Sequence, residues 1–118
     1  MQGQITKHFN ASEFTCRCGC GLNNISLLLV EKLERARVAC GCKFIITSGC
    51  RCEKHNTKVG GVENSAHLKG YAVDIALPQI DRVVIILALR KEFNRIGIGK
   101  TFIHVDIDPA LPIAEWRY

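Results

Sequence analysis

Two short segments of the sequence carry residues of the types that bind metal ions. The first runs from Ser65 to Asp74 and reads S-x-H-x-x-G-x-A-x-D, and the second, Phe102 to Asp106, contains His104. Zinc sites of hydrolytic enzymes take three protein ligands from His and Asp or Glu and leave a fourth position for water. Two imidazoles and a carboxylate therefore predict a zinc site with one open position, as a catalyst requires.

In the segments that contain Asp74 and His104, apolar side chains alternate with other side chains, as in strands that have one apolar face. In residues 71–77 the larger apolar side chains fall on one side and Asp74 on the other, and residues 101–108 place His104 opposite their aliphatic side. If the two strands share one sheet, Asp74 and His104 converge on one point, and His67 reaches it from the preceding loop. Either segment alone is better explained by a surface His or a solvated Asp, because short motifs give false positives. Their joint occurrence favours the metal site.

The remaining periodicity predicts the elements that must position this site. An amphipathic helix is expected to begin near Ser26 and to end at Gly41. Its apolar side chains are Leu29, Leu33, Ala36 and Cys40. Residues 44–47 are strand-like, as are residues 96–98, and Pro78 suits the first position of a second helix. The apolar stripe of that helix, at i, i+3, i+4 and i+7, is Ile80, Val83, Val84 and Leu87.

This order of elements predicts an α+β fold in a single domain over residues 1–118, with an antiparallel sheet, helices packed on one face and the zinc site on the other. The net charge of +5 comes from dispersed Lys and Arg, and aromatic residues make up only 7%. A solvated basic surface is therefore expected rather than a nucleic-acid interface. No stretch approaches the roughly 20 apolar residues that cross a bilayer, so membrane insertion is not expected.

The seven cysteines leave three hypotheses open. They are Cys16, Cys18, Cys20, Cys40, Cys42, Cys50 and Cys52. An odd number cannot all pair within one chain, and residues 1–9 lack the basic and apolar segments of a secretory signal, so free thiols in a reducing cytosol are expected. A structural zinc held by the N-terminal C-x-C-x-C cluster with Cys50 or Cys52 is the second hypothesis. Disulfides formed after release into an oxidising compartment are the third.

Further short matches to a known family run in order through nearly the whole chain. They are His8-Phe9, Ser12-Glu13-Phe14, Thr47-Ser48-Gly49-Cys50-Arg51, His55-Asn56, Val59-Gly60-Gly61-Val62, Asn64-Ser65-Ala66-His67, Gly70-Tyr71-Ala72-Val73-Asp74 and Phe102-Ile103-His104-Val105-Asp106. On these segments the chain resembles the zinc D-alanyl-D-alanine carboxypeptidases and related peptidoglycan endopeptidases. That group includes many bacteriophage endolysins and is structurally akin to the hedgehog signalling domain.

The resemblance implies a role for five residues. His67, Asp74 and His104 match the zinc ligands of the family. Arg51 matches the arginine that contacts a substrate oxygen, and Ser65 supports the loop beside the metal as part of the substrate-binding region.

Asp106 is the position where the family pattern is least uniform. Some relatives have a second His in its place, so that Asp106 rather than His104 is an alternative third ligand. Relatives often have a general base three to five residues before the last ligand, where this chain has Gly99, Lys100 and Thr101. Asp106 is therefore the expected catalytic proton acceptor, and the competing interpretation is a carboxylate that orients an imidazole.

The function implied by the resemblance is that of a zinc metallopeptidase of the D,D-carboxypeptidase or endopeptidase type. Its substrates are expected to be peptidoglycan peptides, in which it hydrolyses an amide bond of the stem peptide or cross-bridge. It is expected to act as a monomer, to be made in the cytoplasm without a signal peptide, and to reach the cell wall after release. The alternatives are a domain of the same fold that binds zinc without catalysis and a basic Cys-rich nucleic-acid-binding protein.

Overall fold

Five strands form the main sheet of the structure, a computed structural model that describes residues 3–118. In the order β3-β4-β6-β5-β7 they are Ile46–Ser48, Ala72–Ala76, Phe102–Asp106, Arg95–Ile98 and Ala114–Arg117. The first four strands pair antiparallel, whereas β7 runs parallel to β5. The sheet is therefore mixed rather than wholly antiparallel. After β6 the chain turns back and crosses to the far side of β5, so β7 runs antiparallel to β6 and hence parallel to β5.

The remaining elements are a two-stranded antiparallel sheet, three α-helices and two short 3-10 helices. They are β1 (Gln4–Thr6), β2 (Phe9–Asn10), α1 (Leu27–Cys40), α2 (Glu53–Lys58), α3 (Arg82–Arg90) and the 3-10 helices Ala11–Phe14 and Ala66–Lys69. Together they make one small α+β domain, as the sequence predicted. Within residues 3–118, no helix combines the length and the apolar character needed to span a bilayer.

Helix α1 begins and ends where the sequence predicted. The Oγ atom of Ser26 accepts a hydrogen bond from the Leu29 backbone N–H at 3.4 Å, which satisfies a donor at the helix start. Gly41 ends the helix in the left-handed region, with φ of 69°, and its N–H donates to the Arg37 carbonyl. The buried side of the helix consists of Leu29, Val30, Leu33 and Ala36.

Helix α3 differs from the prediction in both its start and its buried side. It begins at Arg82 rather than at Pro78, and the predicted stripe of Ile80, Val83, Val84 and Leu87 is exposed. The buried side chains are Ile85, Ala88 and Leu89. This helix is apolar on nearly all sides, so periodicity alone does not select the side that is buried. In the observed orientation Arg82 donates to the Gly99 and Lys100 carbonyl oxygens at 3.1 and 3.0 Å.

The two faces of β4 and β6 differ as predicted. Their core-facing side chains, each fully buried, are Val73, Ile75, Ile103 and Val105. These belong to the hydrophobic core that α1 and α3 also line, and each such side chain contributes about 1.5–3 kcal/mol when it leaves water. The opposite face carries Asp74, His104 and Asp106, so the core anchors the strands that present the polar residues.

Candidate metal centre

Strands β4 and β6 place two of the predicted ligands side by side. Asp74 and His104 are directly paired in the antiparallel register, and paired side chains on one face of a sheet have Cβ atoms about 5 Å apart. The Nδ1 atom of His104 lies 3.0 Å from Oδ1 of Asp74. Because the other faces of both strands are buried in the core, the pair has a fixed geometry.

The 3-10 helix before β4 supplies His67, the third predicted ligand. Ser65 caps this helix, its Oγ accepting a hydrogen bond from the His67 backbone N–H at 3.2 Å, and Gly70 ends it with φ of 75°. The Nε2 atom of His67 lies 3.3 Å from Oδ1 of Asp74. Ligand atoms of His67, Asp74 and His104 all lie within 4.8 Å of one another, so the structure brings together the three side chains predicted to converge.

Replacing Gly70 by alanine is expected to weaken metal binding, because this glycine closes the loop that carries His67. A Cβ at position 70 would lie 1.9 Å from the Asn24 carbonyl oxygen, and the positive φ adds strain for any other residue. We expect the free energy of unfolding to fall by about 1–3 kcal/mol and zinc affinity to fall with it, as measured by urea unfolding and zinc titration. Gly41→Ala is the control, since Gly41 also has positive φ but open space around it. Unchanged zinc affinity in Gly70→Ala would contradict the expectation.

The hydrogen bonds of the two imidazoles fit metal binding. The Nδ1 atom of His67 lies 2.7 Å from the Gly49 carbonyl oxygen, and Nε2 of His104 lies 2.7 Å from Oδ2 of Asp106. Both partners only accept, so each of these nitrogens donates an N–H, and the other ring nitrogen, which faces Asp74, is the one that a metal ion would bind. The Nε2 atom of His67 is buried and has no hydrogen-bond partner among the described residues, which a metal ion would explain. Metal-binding histidines almost always donate their second N–H in this way.

The surroundings of the three candidate ligands favour positive charge, as the directions of the pKa shifts of Asp74 and His104 indicate. Burial opposes the ionisation of Asp74, but the nearby imidazoles of His104 and His67 outweigh it, and the pKa of Asp74 lies far below its ordinary value. Burial also opposes protonation of His104, but the hydrogen bonds to Asp106 and Asp74 outweigh it and raise the pKa of His104. A metal ion must therefore displace a proton from His104, so its affinity falls as the pH falls.

Arg51 is held at the edge of the three candidate ligands. Its Nη2 donates to Oδ2 of Asp74 at 3.4 Å, its Nη1 to Oδ1 of Asn56 at 3.1 Å, and its Nε to Oγ of Ser48 at 3.3 Å. The side chain also lines the cleft beside the ligands. A guanidinium has five N–H donors, so two remain for a substrate. The substrate contact itself stays a prediction for Arg51, as it does for Ser65, whose observed hydrogen bond supports His67.

Asp106 is buried and accepts hydrogen bonds with both carboxylate oxygens. Its Oδ2 accepts from His104, and its Oδ1 accepts from Nε of Arg95 at 2.8 Å and from the Asp108 backbone N–H at 3.2 Å. Burial raises the pKa of Asp106, but the hydrogen bond and charge of His104 lower it by more. The pKa of Asp106 is therefore below its ordinary value. The contacts are those of a carboxylate that orients a histidine, and the role of proton acceptor stays a prediction.

The candidate ligands open onto a cleft of about 450 Å³, a volume typical of ligand sites. One wall is the loop around residues 59–62, and the other contains Trp116 and Tyr118 near the end of the chain. The Trp116 ring lies 5.6 Å from the His104 ring, measured between centroids. Gly97 makes this possible, because a Cβ there would lie 2.5 Å from the indole nitrogen. The three candidate ligands therefore lie between the sheet on one side and the cleft on the other.

Three groups that hold candidate site residues in place could not be identified from the sequence. The Gly49 carbonyl holds His67, Asn56 holds Arg51, and Arg95 holds Asp106. A backbone carbonyl leaves no signal in a pattern of side chains, although Gly49 and Asn56 both lie in segments that resemble the family. Arg95 was grouped with the dispersed surface cations, and only its register position opposite Asp106 reveals its role.

The cysteines differ from the free thiols that the sequence predicted. Cys40 and Cys42 form a disulfide, so that expectation is wrong for this pair, which the left-handed turn at Gly41 brings together. The other five are free. Four of them, Cys16, Cys18, Cys20 and Cys52, have Sγ atoms within 4.8 Å of one another. The buried Sγ of Cys50 lies instead 3.8 Å from Oδ1 of Asn23.

One family model matches most of the chain. It is described as Peptidase M15 and covers residues 7–108, a range that contains the three candidate ligands and Arg51, Ser65 and Asp106. No curated protein matches the chain.

Proposed function

The chain belongs to the peptidase M15 family, and on that premise we propose that it is a zinc-dependent peptidase that hydrolyses an amide bond of peptidoglycan. The family supports a metallopeptidase, and the stem peptide or cross-bridge is the proposed substrate. The observation that carries the proposal is the convergence of His67, Asp74 and His104 at the base of one open cleft.

The donor set fits zinc rather than a harder cation. Two imidazole nitrogens and one carboxylate are the ligands of many catalytic zinc sites, whereas Mg²⁺ and Ca²⁺ prefer oxygen ligands. His67 would bind through Nε2 and His104 through Nδ1, since their other nitrogens donate to Gly49 and Asp106. When bound, zinc supplies an activated water and polarises the carbonyl of the scissile bond.

The protein contributes orientation and charge around that chemistry. The two free N–H donors of Arg51 are proposed to hold a substrate carboxylate or the oxygen that becomes negative during attack on the amide. Asp106 keeps the His104 ring in its orientation and is proposed to accept the proton of the attacking water. Besides the proposed ligand Asp74, it is the only carboxylate among the described residues that line the cleft.

The basic surface supports a cell-wall substrate. A net charge of +5 attracts an anionic wall through long-range forces that salt screens. We further propose the biology of an endolysin, in which the chain acts as a monomer on the wall after release from the cytoplasm. Nucleic acid is not proposed as a partner, because the basic residues are dispersed.

Digestion of purified peptidoglycan tests the proposal. We expect release of new amino groups that stops with a chelator and resumes with added zinc, and mass spectrometry of the muropeptides would identify the bond. Zinc binding without release of amino groups would instead support a non-catalytic domain of this fold. Binding to nucleic acid without hydrolysis would favour the third candidate function.

Asp106→Asn separates the two roles of Asp106. The amide retains an acceptor oxygen but loses the charge that holds His104 and Arg95, so we expect zinc affinity to fall about 10–100-fold. At saturating zinc, a remaining loss of at least about 100-fold in kcat is expected from the missing proton acceptor. Full recovery of kcat by added zinc would limit Asp106 to orientation of His104. Asp81→Asn is the control, because Asp81 lies at the start of α3 and makes no capping hydrogen bond.

A further inference from the structure

We propose that Cys16, Cys18, Cys20 and Cys52 bind a second zinc ion, which is structural and joins the loop of residues 16–22 to the start of helix α2. The four residues are free thiols and come from two separate parts of the chain. Neither the family match nor the proposed peptidase activity requires them. We refer to these four residues as the cysteine cluster.

The spacing of the sulfur atoms fits a tetrahedral ion. A Zn–S bond of about 2.3 Å separates the sulfurs of a regular tetrahedron by about 3.8 Å. The Sγ atom of Cys16 lies 3.5 Å from that of Cys18 and 4.0 Å from that of Cys52, and Cys18 and Cys52 are 3.7 Å apart. The Sγ of Cys20 lies within 4.8 Å of the other three. Four thiolates in this arrangement are a closed site of the structural type, with no position left for substrate.

Backbone N–H groups point at three of the four sulfur atoms of the cysteine cluster. The backbone N–H groups of Cys52, His55 and Leu22 donate to the sulfurs of Cys16, Cys52 and Cys20, at 3.5, 3.3 and 3.5 Å respectively. Donors aimed at sulfur favour its charged form.

The short C-x-C-x-C spacing needs sharp turns to bring three sulfurs to one point. Gly19 and Gly21 supply them, with φ of 88° and 87°, values that other residues rarely adopt. A tetrahedral set of sulfur ligands is typical of zinc or iron, and metal analysis of the purified protein distinguishes the two.

The cysteine cluster also has a structural connection to the cleft. Cys52 follows Arg51 directly, and the Gly49 carbonyl in the same segment holds His67. The Cys50 backbone N–H donates to the Phe14 carbonyl at 2.9 Å, next to the loop that carries the other three cysteines. An ion in the cysteine cluster would therefore fix the segment that positions Arg51 and His67. This consequence rests on the proposed peptidase function, whereas the second metal site does not.

Metal counting on purified variants tests the second site. In wild type we expect two zinc ions per chain, and one in His67→Ala and one in Cys18→Ser. Cys50→Ser is the matched control, since Cys50 is a free buried cysteine outside the cluster, and it should keep two. With cobalt in place of zinc, the strong charge-transfer absorption of cobalt thiolates should persist in His67→Ala and disappear in Cys18→Ser. Equal zinc content in Cys18→Ser and wild type would overturn the proposal.

A measurement that leaves all seven cysteines in place keeps the test valid if Cys18→Ser does not fold. An organomercurial reagent that modifies thiols should release one zinc ion per chain from wild type and from His67→Ala. Modification of the thiols without release of metal would overturn the second site. Loss of zinc by thiol modification in a chain that does not cleave peptidoglycan would still support the cysteine site while the peptidase proposal failed.

Discussion

Asp74→Ala is expected to abolish amide hydrolysis and to remove one zinc ion per chain while the fold persists. Oδ1 of Asp74 is the atom that both imidazoles face, 3.0 Å from His104 and 3.3 Å from His67. Without it two histidines remain, too few to hold a catalytic zinc firmly. We expect a loss of about 10⁴-fold or more in kcat/KM, which corresponds to about 5.5 kcal/mol of barrier. Release of amino groups from peptidoglycan and metal analysis of the purified protein measure the two effects.

The comparison that makes this result specific is Asp81→Ala, which removes a carboxylate at the start of α3 and should leave both activity and zinc content unchanged. His67→Ala should match Asp74→Ala in both measurements. Circular dichroism and the Tm of each variant should be compared with those of metal-free wild type, because loss of a bound ion lowers stability by itself. Retained hydrolysis in Asp74→Ala would exclude the proposed metal centre.

Arg51→Lys is expected to lower kcat/KM by about 100–1000-fold without changing zinc content. Lysine keeps the positive charge but lacks the planar fork that bonds Asn56 and Ser48 while leaving two donors for substrate. Most of the loss should appear in kcat if Arg51 holds the oxygen that becomes negative during attack. A loss confined to KM would show instead that Arg51 binds a substrate carboxylate equally in the ground state and in the transition state.

Arg90→Lys is the control for this substitution. Arg90 lies on α3 and forms a surface ion pair with Glu115 at 2.7 Å, an interaction that contributes little to stability. We expect wild-type kinetics in this variant. If Arg51→Lys also retained wild-type kinetics, the assignment of Arg51 to the substrate would be wrong.

The parts of the fold that follow from local rules were predicted well. The ends of α1 are set by Ser26, whose side chain caps the first turn, and by Gly41, whose backbone adopts the left-handed conformation. The faces of β4 and β6 follow from strict alternation, which fixes the side on which Asp74 and His104 lie. Their convergence could therefore be expected on the condition that the two strands share one sheet.

The features that the sequence did not predict depend on tertiary contacts. The stripe of α3 that is buried joins the hydrophobic core, whereas the predicted stripe has the same helical spacing and is exposed. The parallel pairing of β7 depends on a connection whose path has no sequence signal. The hydrogen bond from Arg95 to Asp106 depends on the register of β5 and β6. The separation of the cysteines into one disulfide, one cluster and Cys50 likewise requires three-dimensional proximity.

The most direct measurement is a crystal structure of the protein grown with excess zinc, with diffraction data collected on both sides of the zinc absorption edge. We predict an anomalous difference peak about 2.0–2.2 Å from Nε2 of His67, Nδ1 of His104 and a carboxylate oxygen of Asp74. A fourth position of that ion should face the cleft. A structure in which the three side chains bind no common ion under these conditions would contradict the account.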